Sequence, residues 1–165
     1  MIPAPRAITT GPDDSIYVLD NAGRVLVFDR EGKPTRQWNM PDSKVGNPEG
    51  VCLLRDGCIA VADTHYHRVV FFTADGQVAS MLGKEGQGPG EFIWPVAVIE
   101  DDAGQIFVSE YGGNNRVQKF DVNRQFVLSF GSRGDQPGEF QRPSGMVWVE
   151  DRLYIVDAFN DRIQV

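Results

Sequence analysis

Short apolar segments alternate with turns along the whole chain, and the same order of segments occurs four times. Each copy opens on a proline and has a small residue two positions later, at Pro5-Arg6-Ala7, Pro48-Glu49-Gly50, Pro95-Val96-Ala97 and Pro143-Ser144-Gly145. An apolar segment and an acidic turn follow each opening. Short apolar and β-branched runs between turn residues are typical of β-strands. The pattern therefore predicts an all-β protein.

A second strand in each copy ends in an acidic residue, at Asp20, Asp63, Glu110 and Asp157. Four to six residues later an arginine opens a third strand, at Arg24, Arg68, Arg116 and Arg162. The first three copies continue with a turn and a fourth strand, so one copy is predicted to be a four-stranded antiparallel meander. We place the repeats at 5–47, 48–94, 95–142 and 143–165, the last incomplete, in a single domain 1–165.

A sheet of four short strands cannot bury both of its faces alone, so neighbouring sheets must stack. Radial stacking of four-stranded units is the arrangement of a β-propeller, with each sheet as one blade. The first strand of each blade would then line a central channel where the blades converge. We expect Ala7, Gly50, Ala97 and Gly145 to be small because side chains crowd there.

The repeat resembles the NHL repeat. The resemblance lies in the proline opening, the acid at the end of the second strand, the R-V-x-x-F third strand and the linker G-x-x-G-x-x-P-G-E-F. This linker occurs twice, at residues 83–92 and 131–140, and the two copies are 48 residues apart. The linker of the first repeat diverges, at Pro41-Asp42-Ser43-Lys44.

The resemblance implies a ring of six blades, or roughly 270 residues at ~45 residues for each blade. The chain has three full repeats and part of a fourth, so we predict an open arc. The arc would be either a piece of a longer chain or half of an assembly that closes by association. Apolar blade faces would be exposed at both ends, and such faces favour self-association.

Composition and charge restrict the partners. The chain has 165 residues, 41% of them hydrophobic, with a net charge of −7. No apolar run approaches the ~20 residues of a membrane span, and the residues from Met1 to Arg6 lack the features of a signal peptide. We therefore expect no membrane partner and take the soluble cytoplasm as the default compartment. The negative charge also makes nucleic acid an unfavourable partner.

Strand direction predicts that the acid-to-arginine loops and the Gly-rich linkers lie at the same end of the propeller, here called the loop face. NHL relatives commonly bind ligands at this end, which the resemblance implies for this chain. Candidate ligand residues on the loop face are His65, Tyr66, His67, Tyr111, Asn114, Asn115, Phe159 and Asn160. We predict a scaffold that presents these loops to a protein or peptide. The alternative is that they are ordinary surface polarity.

The four recurring acids are open to two interpretations. They could form a catalytic or metal-binding ring, and calcium would need oxygen ligands that converge from different blades, as in lactonase-like propellers. Each acid also has its own arginine across the same hairpin. One pair in each blade favours a structural contact, so we predict four acid–arginine pairs: Asp20 with Arg24, Asp63 with Arg68, Glu110 with Arg116 and Asp157 with Arg162.

Some relatives with the NHL resemblance are amidating lyases that hold zinc with histidines from separate blades. His65 and His67 lie in one loop and cannot supply such a site alone. We therefore predict no catalytic residue and no cofactor; zinc or calcium would require a complete propeller. Residues 83–90 are rich in glycine, which could suggest a phosphate-binding loop. Such a loop would lead into a helix, whereas this segment joins two strands and recurs, so we predict a connector.

Some NHL domains bind RNA on a basic face. Here the basic residues Lys84, Arg133 and Arg142 are offset by acids at Glu85, Asp135, Glu139 and Asp161. This balance makes RNA the least favoured ligand.

Overall fold

Each sequence repeat forms one antiparallel sheet in the computed structural model, which describes residues 4–165. Blade one contains β1 (Pro5–Thr10), β2 (Ile16–Asp20), β3 (Arg24–Phe28) and β4 (Pro34–Asn39). Blade two contains β5 (Gly50–Leu53), β6 (Ile59–Asp63), β7 (Arg68–Phe72) and β8 (Val78–Leu82). Blade three contains β9 (Pro95–Glu100), β10 (Ile106–Glu110), β11 (Arg116–Phe120) and β12 (Phe126–Phe130). Blade four contains β13 (Pro143–Val149), β14 (Arg152–Asp157) and β15 (Arg162–Gln164).

The strands of each sheet lie in the order of the chain, so every blade is a meander. Two 3₁₀ turns, Thr64–Tyr66 and Ala158–Asn160, lie between the second and third strands of blades two and four. The prediction of an all-β arc with three four-stranded blades and a partial fourth is confirmed. The expected ring of six stays a prediction, since the described residues form four blades.

The hydrophobic core lies between neighbouring blades. Leu19, Val25 and Val27 of blade one pack with Val61 and Phe72 of blade two, all of them nearly or fully buried. A second cluster joins blades two and three, and a third joins blade three to blade four. The middle strands β6 and β10 are buried at every position, because their blades have a neighbour on both faces. Burial of such side chains stabilises the arc by about 1.5–3 kcal/mol for each large apolar residue.

The first strands line the central channel, with Ala7, Gly50, Ala97 and Gly145 among the lining residues. A Cβ atom on Gly50 would collide with the backbone carbonyl of Val96, so crowding explains this glycine. The expectation stays a prediction for Gly145, where the nearest atom to a Cβ would be a methyl of Val156 in the same blade, at 3.8 Å. Blade four has no further blade on that side in the described residues, so the space there is open.

Apolar side chains are exposed on the outer faces of the two end blades. Ile8 of blade one is 66% exposed, and Val147 and Ile163 of blade four are 50% and 65% exposed. Self-association through these faces stays a prediction. Within residues 4–165, no helix is long and apolar enough to cross a membrane.

Candidate functional site

Each recurring acid lies against the arginine of its own hairpin. Distances between the carboxylate and the guanidinium are 2.6 Å for Asp20 with Arg24, 2.8 Å for Asp63 with Arg68, 2.6 Å for Glu110 with Arg116, and 2.8 Å for Asp157 with Arg162. All four acids are fully buried. A buried carboxylate is costly unless it is paired and hydrogen-bonded, so these contacts are needed for the loops to fold as they do.

In blade three, the carboxylate of Glu110 accepts hydrogen bonds from four donors. Arg116 Nε and Gln118 Nε2 donate to Oε1, at 2.6 and 2.9 Å. Asn114 Nδ2 and the backbone N–H of Ile93 donate to Oε2, each at 2.7 Å. Both oxygens of the buried acid are therefore satisfied.

Blade four repeats this network around Asp157. Its carboxylate accepts from Arg162, Asn160, Gln164 and the backbone N–H of Gln141, at 2.7–3.1 Å. Burial by itself would raise the pKa of Asp157, but these hydrogen bonds from Asn160, Gln141, Arg162 and Gln164 outweigh it and lower the pKa below its usual value of 3.8.

The same arginine and glutamine hold the Gly-rich linker that precedes the blade. Arg116 donates to the carbonyls of Gln87, Gly88 and Glu91, and Arg162 to those of Asp135, Gln136 and Glu139. Gln118 accepts from the N–H of Gly90 and donates to the carbonyl of Glu91. We call the acid, arginine, asparagine and glutamine of a blade its clamp. The linkers are connectors held by these clamps.

Blade two has only part of a clamp. Arg68 donates to Asp63 and, with its other nitrogen, to Asp42 of the divergent linker. Oδ1 of Asp63 is buried and has no hydrogen-bond partner. Burial therefore raises the pKa of Asp63, although Arg68 acts to lower it.

The loop of blade two supports the divergent linker with other side chains. Tyr66 Oη accepts from the backbone N–H groups of Lys44 and Val45, at 2.8 and 3.1 Å. His65 Nδ1 lies 3.2 Å from the N–H of Asn47. His67 Nδ1 lies 3.4 Å from the N–H of Trp94, the last residue before blade three. These predicted ligand residues thus contact the chain itself.

An aromatic and cationic row crosses the loop face of blades three and four. The rings of Trp94 and Tyr111 are 5.4 Å apart. The guanidinium of Arg142 lies 5.0 Å from the Tyr111 ring and 5.3 Å from the Phe159 ring. Phe159 is 65% exposed and Trp94 is 40% exposed. We call these four residues the aromatic row.

Trp94 and Arg142 occupy the same position in their repeats, directly before the proline that opens the blade. Both have positive φ, 52° and 60°, as does Ala4 at 46° in blade one. Positive φ is uncommon for residues with a Cβ, and the position before proline is restricted further. Backbone hydrogen bonds hold this conformation: Tyr111 N–H donates to Trp94 and Ala158 N–H to Arg142.

A cavity of about 240 Å³ opens beside the row, between blades three and four. Its lining residues are Tyr111, Gly112, Asn115, Arg133, Gln141, Arg142 and Phe159. Asn115 precedes Arg116 and is 6% exposed. Its Oδ1 accepts the N–H of Arg142 at 3.0 Å, so it joins the two blades.

Of the predicted loop-face residues, Tyr111, Asn115 and Phe159 meet at this cavity. Asn114 and Asn160 belong to clamps instead, and each also donates to a linker carbonyl. Sequence reasoning missed Trp94 and Gln141, and it noted Arg133 and Arg142 only as basic residues. The signal for Trp94 and Arg142 was present in the sequence, because both directly precede an opening proline.

No group of three His, Cys, Asp or Glu residues in the described part of the chain could hold a metal ion. Nδ1 of His65 and of His67 faces backbone groups, and each recurring acid lies with its own arginine. These side chains of residues 4–165 therefore do not converge on one point.

No family model matches the chain. The human NHL repeat-containing protein 3 is 28% identical over 88% of this chain and 46% of its own length. The Xenopus laevis peptidyl-glycine alpha-amidating monooxygenase A is 30% identical over 71% of this chain and 14% of its own length. A streptogramin B lyase structure matches with a TM-score of 0.76 and 15% identity, over 97% of this chain and 50% of that one.

Together, the stacked meanders and the structural match define a β-propeller. The repeats are NHL repeats, and the chain is an NHL-repeat β-propeller. It spans about half the length of the NHL repeat-containing relatives it matches, at 46% and 48%.

Proposed function

We propose that this chain is a propeller scaffold whose loop face binds a protein or peptide. The observation that carries the proposal is the aromatic row, which leaves Trp94 and Phe159 exposed on either side of Tyr111 and Arg142. Tryptophan, tyrosine and arginine are the residues that most often dominate binding energy at protein interfaces.

The row is also held in position before any ligand arrives. Trp94 and Arg142 have constrained backbones before proline, and the clamps of blades three and four fix the linkers beside them. Side chains on a rigid frame lose little conformational entropy on binding. The geometry therefore favours recognition over catalysis, and we assign no residue to a reaction.

A displayed library of random peptides, selected on the purified chain, tests the proposal. Selected peptides should bind the wild type and lose at least about tenfold in affinity to Trp94→Ala and Tyr111→Ala, since truncating a central aromatic residue costs more than 1 kcal/mol. The matched control is Phe126→Ala, because Phe126 is exposed on the outer strand β12.

Either of two results would contradict the proposal. One is a selection that enriches no peptide. The other is a set of selected peptides whose affinity is unchanged by both loop-face variants.

A second candidate is that the chain forms part of a metal-dependent propeller enzyme. Its support is the 30% identity to a protein named as an amidating monooxygenase. Residues 4–165 contain no group of three His, Cys, Asp or Glu side chains that could hold a metal ion, so we derive no reaction step from them. Elemental analysis of the purified chain tests this candidate, and one bound zinc or calcium per chain would favour it over a scaffold alone.

A further inference from the structure

Three hydrogen-bond donors meet at the cavity between blades three and four: the guanidinium groups of Arg133 and Arg142 and the amide of Asn115. The lining contains no aspartate or glutamate. Within residues 4–165, neither arginine forms an ion pair, whereas the arginines of the four acid–arginine pairs all do. The cavity therefore has unneutralised positive charge in a chain of net charge −7.

The amide of Asn115 adds a neutral donor to the two guanidinium groups. Its Oδ1 accepts the backbone N–H of Arg142 at 3.0 Å. An N–H needs an acceptor, so this bond determines which end of the amide faces Arg142. Nδ2 must then point the other way, and it donates to no acceptor in the described residues. Asn115 is 6% exposed as a residue and lines the cavity, and its Nδ2 is accessible to solvent and available to a ligand.

The walls of the cavity are aromatic. Tyr111 and Phe159 flank the Arg142 guanidinium, at 5.0 and 5.3 Å. Burial raises the pKa of the Tyr111 hydroxyl above its usual value, so this wall is neutral at physiological pH. A ligand that carries an anionic group next to an apolar group could contact the hydrogen-bond donors and the aromatic rings at the same time.

We propose that this cavity binds a carboxylate of the peptide ligand, so that the loop face selects acidic peptides or free carboxyl termini. This inference rests on the proposed function. A planar carboxylate suits two guanidinium groups and an amide, since guanidinium and carboxylate match in geometry.

Titration by ¹⁵N–¹H NMR with small probes tests the inference. N-acetylphenylalanine carries a terminal carboxylate, and acetyl-Phe-Glu-amide carries a side-chain carboxylate. Acetyl-Phe-Gln-amide is the neutral match, and phenyl phosphate tests a dianion. At least one carboxylate probe should shift the resonances of Tyr111, Asn115 and Arg142, and it should bind at least about tenfold more tightly than the neutral probe, because a charge-assisted hydrogen bond is lost in the latter. Which carboxylate binds better distinguishes a chain terminus from an acidic side chain.

The variants Arg133→Gln and Arg142→Gln should each weaken carboxylate binding by about tenfold or more and leave binding of the neutral probe unchanged. Arg152→Gln is the matched control, because Arg152 is exposed and lies on β14 outside the cavity. Arg133 lies on an exposed part of the linker, so its substitution keeps the test valid if the Arg142 variant folds poorly.

The outcomes separate this inference from the proposed function. Equal affinity for acidic and neutral probes, or tighter binding of phenyl phosphate, overturns the carboxylate assignment. If library peptides still need Trp94 and Tyr111 in that case, the scaffold proposal stands alone. If neither probes nor library peptides bind the loop face, both fail.

Discussion

Blades two and four contain the same acid–arginine pair in different surroundings. Asp157 accepts four hydrogen bonds and has a lowered pKa, while Asp63 has one buried oxygen without a partner and a raised pKa. The difference follows from the sequence around each pair. Blade four has Asn160 and Gln164 and follows a Gly-rich linker, whereas blade two has Tyr66 and Val70 at the matching positions and follows a divergent linker. The clamp and its linker therefore form one unit.

Removing the charge from a complete clamp should have the largest effect. Glu110→Gln should lower the free energy of unfolding by about 3 kcal/mol, since it leaves the partly buried Arg116 without its charge partner and turns one acceptor into a donor. Chemical denaturation at neutral pH measures the change. The same substitution at the exposed Glu85 should alter stability by less than about 0.5 kcal/mol. Equal effects at the two sites would show that the clamp adds little stability.

Converting one clamp into the other tests the comparison directly. Gln118→Val gives blade three the residue that blade two has at Val70. It removes the acceptor of the Gly90 N–H and one of two donors to the Glu91 carbonyl, which Arg116 still contacts. We expect a loss of about 2 kcal/mol, mainly from the unpaired Gly90 N–H. Hydrogen exchange should become faster at Gly90 and remain unchanged at Lys44 of the divergent linker. Unchanged hydrogen exchange at Gly90 would contradict the inference that the clamp and its linker form one unit.

The substitute contact of blade two should be weaker than a clamp. Tyr66→Phe removes the hydroxyl that accepts the N–H groups of Lys44 and Val45, at an exposed site where water can replace it. We expect a loss of about 0.5–1 kcal/mol and faster hydrogen exchange at Lys44 and Val45. Tyr111→Phe serves as a control that keeps a ring and should leave exchange at these two amides unaltered.

The pH dependence of stability should have opposite signs at the two acids. The folded pKa of Asp157 lies below 3.8, so its contribution is present above pH 3.8 and is lost as pH falls through that folded pKa. The folded pKa of Asp63 lies above 3.8, so the native state takes up a proton first, and stability from this group rises as pH falls from that pKa towards 3.8.

Asp63→Asn therefore has the smallest expected effect, within about 1 kcal/mol of wild type at neutral pH, because it removes both a buried charge and its partner's attraction. Denaturation curves from pH 7 to pH 3 should show that the free energy of unfolding of the wild type rises relative to that of this variant as pH falls. The comparison between the two acids would be reversed if Asp63→Asn lost more stability than Glu110→Gln and lost most of it at pH 7.

The fold was predictable because its signals recur. The opening prolines, the acids and the arginines such as Arg24 occur once in every repeat, and a local hairpin contact is the simplest reason for such spacing. The candidate site was predictable only in part. Tyr111 and Phe159 could be assigned to the loop face from strand direction alone. Trp94 was missed although it directly precedes an opening proline, because its left-handed backbone is held by a hydrogen bond from the N–H of Tyr111.

Asn115 was identified for its polarity, but its position between two blades depends on the pairing of Oδ1 with Arg142, which sequence spacing does not encode.

The position before each opening proline carries Ala4, Asn47, Trp94 or Arg142, four side chains of unlike chemistry on equivalent points of one framework. At three of these points the backbone has the same left-handed conformation, so the residue type has little influence on the turn itself. Stability and recognition are thus encoded by separate residues. A propeller of this kind can acquire a new ligand through a few substitutions at its rim, with the rest of each blade left as it is.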